Sequence, residues 1–217
     1  MKEKFLHSET PFKDKLVDSG IEADSLDLKT LQSLPGKLVR EYKEYFDVDN
    51  IHTYDQFLDE TLLEFKKAKQ GFDRMKEYGI HIVDADTVIG KNEEGTVKVF
   101  TVVDRVFGEN LFDISDLTPE IKREIEDLFL NFAKYYSNAS DDSNTFWYHF
   151  HLGQFVYGNK LGEDEKHLYL VDIEPFFDTS EEFIDSIINL FYGEIDILNK
   201  KFPSIDFSKV PQFLNRS

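Results

Sequence analysis

The sequence predicts a mixed α+β fold. Three features carry that expectation: a long stretch of helical periodicity, two β-rich runs joined by a short polar loop, and a second such pair of runs followed by a helix. Residues 1–35 read as a polar extension, interrupted by Gly20 and Pro35, with helical turns around Leu26 to Leu31. From Gly36 to Phe46 (GKLVREYKEYF), Leu38, Arg40 and Tyr42 alternate with Lys37, Val39 and Glu41. That is the period of a strand, although the composition also accommodates helix.

Next, Thr53-x-x-Gln56 forms a capping-box pattern, and Phe57, Thr61, Phe65, Ala68, Phe72 and Met75 recur at helical spacing until Gly79 ends the run. IHIVDADTVIG and TVKVFTVVDRVFG then read as two strands around the polar loop KNEEG. Thr118-Pro119-Glu120 starts a helix, Thr as cap and Pro at the first helical position, with Ile121, Ile125, Leu128, Phe132 and Tyr135 on its apolar face. QFVYGNKLGEDEKHLYLVDIE reads as a second hairpin whose loop holds Gly158, Asn159 and Gly162. Thr179-x-x-Glu182 caps a last helix running to about Asn199, and a tail follows Pro203.

Composition narrows the function classes. In 217 residues, a hydrophobic content of 41% is enough for a sizeable core, and 21 Phe make that core rich in rings. Acidic residues outnumber basic ones 43 to 25, for a net charge of −18, which opposes binding to nucleic acid or to anionic lipid. The absence of cysteine excludes disulfides and thiolate ligands, so any bound ion is held by His, Asp, Glu or backbone oxygens, as Mg²⁺, Mn²⁺ or a His-liganded metal would be. MKEKFLHSETPFKDK has charges but no apolar signal region, and no apolar run approaches the ~18 residues of a spanning helix. The expectation is a cytoplasmic protein.

The chemistry concentrates in WYHFHLGQFVY (Trp147 to Tyr157) and LYLVDIEP (Leu168 to Pro175). On a strand, Asp172 shares a face with Leu168 and Leu170, where burial of an unpaired carboxylate would cost several kcal/mol. A cation, or a set of N–H donors, is expected to compensate it; the plainer alternative is a carboxylate capping backbone N–H groups at the strand end. Phe146, Trp147, Tyr148, Phe150, Phe155 and Tyr157 read chiefly as core, with a stacking pocket as the alternative. His149-x-His151, if it lies on a strand, also places two imidazoles on one face. With Asp172 or Glu174 and a third nitrogen from His167, that set would suit Fe²⁺, Mn²⁺ or Zn²⁺ in some other fold.

The order of these motifs resembles the protein-kinase-like fold, in particular the aminoglycoside and choline kinase branch. There a D-x-H-x-G-N pattern precedes a hairpin ending in an apolar run plus Asp. His149-Phe150-His151-Leu152-Gly153-Gln154-Phe155-Val156 is similar to that pattern, with His151 and Gly153 in place, and LYLVDIEP is similar to the strand bearing the metal-binding Asp. The resemblance implies a two-lobed arrangement: residues 1–35 as an extension, 36–108 as a reduced N-lobe, and 109–217 as a short helical C-lobe. It implies ATP and Mg²⁺ as cofactors, with Asp172 and Gln154 as metal ligands and His149 at the catalytic-base position. Asp104 and Val106 would lie in the hinge that receives adenine. Arg40 or Lys37 would hold the nucleotide phosphates and Glu64 would be their helix partner, the alternative for Arg40 and Glu64 being solvated charges.

The sequence also departs from the family pattern. His149 replaces the catalytic Asp, Gln154 replaces the Asn that binds the second Mg²⁺, and Gly36 stands alone where a glycine-rich phosphate loop is expected. The implied function is a pseudokinase or atypical nucleotide-binding module, with a nucleotide or a protein as partner. The alternatives are an active Mg²⁺–ATP phosphotransferase acting on a small-molecule or protein hydroxyl, and the His/carboxylate metal protein described above.

Overall fold

A computed structural model describes residues 32–41, 54–95, 97–138, 146–173, 177–178 and 181–214. The turns around Leu26 to Leu31, the Thr53 and Thr179 caps and Glu174 lie outside the described residues. In chain order the elements are β1 (Lys37–Glu41), α1 (Tyr54–Glu77), β2 (Ala85–Lys91), β3 (Val97–Asp104), β4 (Val106–Asn110), α2 (Pro119–Asn138), β5 (Phe146–Trp147), a 3₁₀ turn (Leu152–Gln154), β6 (Phe155–Lys160), β7 (His167–Leu170), β8 (Phe177–Asp178), α3 (Glu181–Lys201) and α4 (Pro211–Leu214). The fold is α+β with small antiparallel sheets. No described helix is long and apolar enough to cross a membrane.

The chain divides into two compact units, one comprising residues 1–66 and 83–105, the other 67–82 and 106–217. The sheet of the first unit has the order β1-β3-β2. β2 and β3 form the expected hairpin, turned at Asn92 to Gly95, where Gly95 takes φ +77° and donates its N–H to the Asn92 carbonyl. The stretch from Lys37 to Glu41 is a strand, antiparallel to β3, with Lys37 opposite Asp104 and Arg40 opposite Thr101. Val88, Ile89, Val99, Phe100, Val102 and Val103 are buried.

On α1, Thr61, Phe65, Ala68, Phe72 and Met75 are all buried, the face that the spacing predicts. Gly79 ends the helix at φ +81°. Its N–H reaches the Lys76 carbonyl and that of Ile80 reaches the Met75 carbonyl, the double bond of a Schellman turn.

Three expectations for the strands need correction. IHIVDADTVIG is not one strand: β2 begins at Ala85, and Ile82 bridges instead to Leu170 of β7. TVKVFTVVDRVFG is not one strand: it breaks at Arg105, so that β3 ends in one sheet and β4 begins in another, of order β4-β6-β7. Gly158 and Asn159 are not loop residues either. β6 runs on to Lys160, and Gly162, at φ +83°, makes the turn. The physical reason lies across the sheet, where Gly158 pairs with Gly108. A Cβ on Gly108 would fall 2.0 Å from the Tyr157 carbonyl oxygen, and one on Gly158 2.4 Å from that of Phe107. These glycines permit a close strand contact rather than a turn.

α2 carries the core of the second unit. Thr118 Oγ1 accepts the Ile121 N–H as cap, and Ile121, Ile125, Leu128, Phe129, Phe132, Ala133, Tyr135 and Tyr136 are buried. Phe129 packs against Phe191 of α3 at 5.0 Å between ring centroids, and against Phe207 at 5.1 Å. The segment after Pro203 is therefore more than a tail, since Ile205, Phe207, Val210 and Leu214 are buried with it.

Gly158→Ala is expected to lower the unfolding free energy by about 1–3 kcal/mol through the strand clash. Gly162→Ala, which meets open space, should cost only the ~1 kcal/mol of its left-handed backbone. Urea midpoints at unchanged m-value compare the two.

Candidate functional site

The segment from Trp147 to Phe155 is fixed from beneath by rings. Phe150, 3% exposed, lies 4.8 Å from Phe132, 5.3 Å from Phe129, 5.0 Å from Phe191 and 5.3 Å from Phe155. Trp147 is fully buried, and its backbone N–H donates to the Tyr135 hydroxyl at 2.9 Å. With Phe150 and Leu152 pointing inward, His149 and His151 point outward and are exposed. Most of the aromatic series is core, as expected: Phe146, Trp147, Phe150 and Phe155 are buried, and Tyr148 and Tyr157 half-buried.

His151 caps the 3₁₀ turn. Its Nδ1 accepts the Gly153 N–H at 2.9 Å, while Gln154 Oε1 accepts the His151 backbone N–H at 3.1 Å, a reciprocal capping box. The other end of the Gln154 amide, Nε2, lies 2.8 Å from His149 Nδ1. The network fixes the protons. A backbone N–H requires the amide oxygen on one side, so the amide nitrogen faces His149 and donates to Nδ1. Neutral His149 therefore carries its proton on Nε2.

Asp172 lies two residues beyond β7 and is half-buried. The Val171 N–H donates to the Gln154 carbonyl at 2.9 Å, which joins this segment to the glutamine loop. Asn110, ending β4, donates to the Gly153 carbonyl at 2.7 Å. The His149 imidazole is held below its ordinary pKa, chiefly by loss of hydration, with the charge of Asp172 acting in the opposite direction. His149, Gln154 and Asp172 thus form one group in the second unit. His151 Nε2 lies 4.0 Å from a carboxylate oxygen of Glu194, a buried residue of α3.

The nucleotide residues implied by the resemblance are arranged differently. In the first unit Lys37 pairs with Asp104: ammonium and carboxylate are in direct contact across β1 and β3, both largely shielded from solvent. Arg40 is exposed on β1 and Glu64 half-buried on α1. Val106 opens β4 opposite Lys160.

His167 does not join His149 and His151. Its Nδ1 lies 3.2 Å from Glu124 Oε1 of α2, its Nε2 lies 3.6 Å from Glu165, and its ring stacks on His81 with centroids 4.1 Å apart and planes at 17°. Glu124 Oε2 accepts the Leu168 N–H at 3.0 Å. One ligand atom from each of His81, Glu124 and His167 lies within 4.8 Å of the others. His81 is held below its ordinary pKa, first by burial and then by His167. Sequence reasoning named His167 as a ligand but gave it other partners, and it missed His81 and Glu124, which are widely separated in the chain and stand in no motif.

Compared with protein-family models, curated proteins and solved structures, the chain matches none.

The amide network makes a signed prediction. With its folded pKa below the unfolded ~6.5, His149 contributes stability that is fully present above pH ~6.5 and is lost as pH falls through the folded value. Gln154→Glu keeps the acceptor for the His151 N–H but places a carboxylate at Nδ1. The His149 pKa should then rise above the unfolded value, and its contribution should reverse, present below pH ~6.5 and lost as pH rises through the new pKa. NMR titration of the His149 ring, with urea unfolding at two pH values, checks both signs.

Proposed function

We propose that the chain is a kinase-like module that acts by binding and does not transfer phosphate. Several features support the likeness. A three-stranded sheet carries a long helix between its first two strands in sequence, and the hairpin β6–β7 leads into Asp172 with the glutamine loop bonded beside it.

The observation that carries the loss of transfer is the closed amide of Gln154. In an active phosphotransferase the residue at the position of His149 takes the proton of the attacking hydroxyl. Here Nδ1 already accepts from the amide and Nε2 bears a proton, so the neutral imidazole offers a donor where a base is required. The protonated ring accepts at neither nitrogen.

The same bonds bear on the metal. Were Gln154 Oε1 to ligate Mg²⁺, the partly buried His151 N–H would lose its acceptor, at a cost of about 1–3 kcal/mol. Gln154 does not fit as a magnesium ligand, and Asp172 is the remaining oxygen donor of the implied pair. Lys37, pairing with Asp104, is likewise committed away from a nucleotide phosphate. A nucleotide bound without turnover, or a protein surface, is the partner this reading supports.

Incubation with radiolabelled ATP and Mg²⁺ or Mn²⁺, with and without hydroxyl acceptors, should give no transfer above background. Transfer that disappears in Asp172→Asn would overturn the reading in favour of an active phosphotransferase. A rise in melting temperature with Mg²⁺–ATP, absent in Asp172→Asn, would identify the nucleotide as partner, since a ligand of the native form stabilises it by mass action.

A further inference from the structure

We propose that His81, Glu124 and His167 form a site for a divalent transition-metal ion such as Zn²⁺, joining the β6–β7 hairpin, helix α2 and the segment after α1. The site lies wholly in the second unit. It shares no residue with the His149–Gln154–Asp172 group and does not rest on the kinase-like reading.

The donor set is the first argument. Two imidazoles and one carboxylate form a three-ligand combination typical of zinc sites, and a fourth position stays open for water or another ligand. Glu165 stands at the other ring nitrogen of His167, 3.6 Å from Nε2, so the fourth position is left to water or an added ligand.

Backbone anchoring is the second. The His81 carbonyl accepts the Leu170 N–H at 2.8 Å, and Ile82 bridges to Leu170 in parallel register. His81 and His167 are therefore held on adjacent extended segments. Glu124 is held from α2 by its bond to the Leu168 N–H, which occupies Oε2 and leaves Oε1 directed at His167. A carboxylate with one oxygen fixed by a backbone donor and the other turned toward an imidazole has the outer-shell support that metal ligands need.

Distance is the third. The ligand atoms lie within 4.8 Å of one another, whereas tetrahedral ligands at about 2.1 Å from a zinc ion stand about 3.4 Å apart. Closing that gap takes a shift of at most about 1.4 Å, within reach of side-chain rotation. The stacked rings must part for this, because imidazole lone pairs lie in the ring plane and nearly parallel rings aim theirs side by side. His81, exposed at the rim, has room to turn. Without an ion the three groups form a stacked, hydrogen-bonded cluster; with one, the same backbone holds a chelate.

The test uses the full chain, stripped with EDTA and titrated with ZnCl₂ by calorimetry, with CoCl₂ as a spectroscopic probe and MgCl₂ as a control. One equivalent of Zn²⁺ is expected to bind and raise the melting temperature, and Co²⁺ to give the intense visible bands of a four-coordinate site. His81→Ala and Glu124→Gln should each weaken binding about tenfold or more. The glutamine retains an acceptor for the Leu168 N–H, and His81 is exposed, so both variants are expected to fold even if His167→Ala does not. The His149→Ala/His151→Ala double variant should bind as the parent does. Absence of Zn²⁺ binding, an unchanged affinity in His81→Ala, or loss of binding in the His149/His151 variant would each overturn the proposal.

Discussion

The candidate site depends on the insertion of Phe150 between α2 and α3. A phenylalanine with four ring neighbours at 4.8–5.3 Å cannot turn outward without opening the core. Its burial sets the phase of the whole segment. Residues on either side must face solvent, Leu152 must face inward, and the backbone must then turn sharply to start β6. The 3₁₀ turn is how it does so, and the capping box satisfies the polar groups exposed by that turn.

A second constraint concerns polar atoms. The three places where sequence reasoning looks for ligand-binding groups all show those groups engaged with the protein itself. Gln154 spans two neighbours, Lys37 holds Asp104, and His167 holds Glu124. Partly buried amides, ammonium groups and carboxylates lose hydration and must recover it through hydrogen bonds. A residue type suited to ligand binding is equally suited to this role, and only geometry separates the two.

That distinction explains what was legible in the sequence. The helices were, because the 3.6-residue period of Phe65, Ala68, Phe72 and Met75, or of Ile121, Ile125, Leu128 and Phe132, depends on each helix alone. The β2–β3 hairpin was too, its short polar loop being closed by a glycine at positive φ. The break at Arg105 was not legible in the residues themselves, since Val103, Val106 and Phe107 all suit a strand, although the resemblance implies a hinge at Asp104 and Val106. Gly158 misleads for a related reason: glycine marks turns and close strand contacts alike, and the choice depends on Gly108, far away in the chain. The glutamine loop lies beside the Asp172 segment because β6 pairs with β7, which brings the start of one strand to the end of the other. The amide bridge was not legible, because a two-sided hydrogen bond is a property of coordinates. His81 and Glu124 carried no signal, as their meeting is set by the hairpin's position on α2.

The segment beyond α3 has a practical consequence. The Asp206 N–H reaches Glu126 at 2.8 Å, and Phe207 covers Phe129. These residues close the outer side of the ring cluster that carries the histidine loop. A shortened version ending at Lys201 would expose that cluster to water and to other chains, so a truncation designed to isolate the second unit must retain the residues through Leu214.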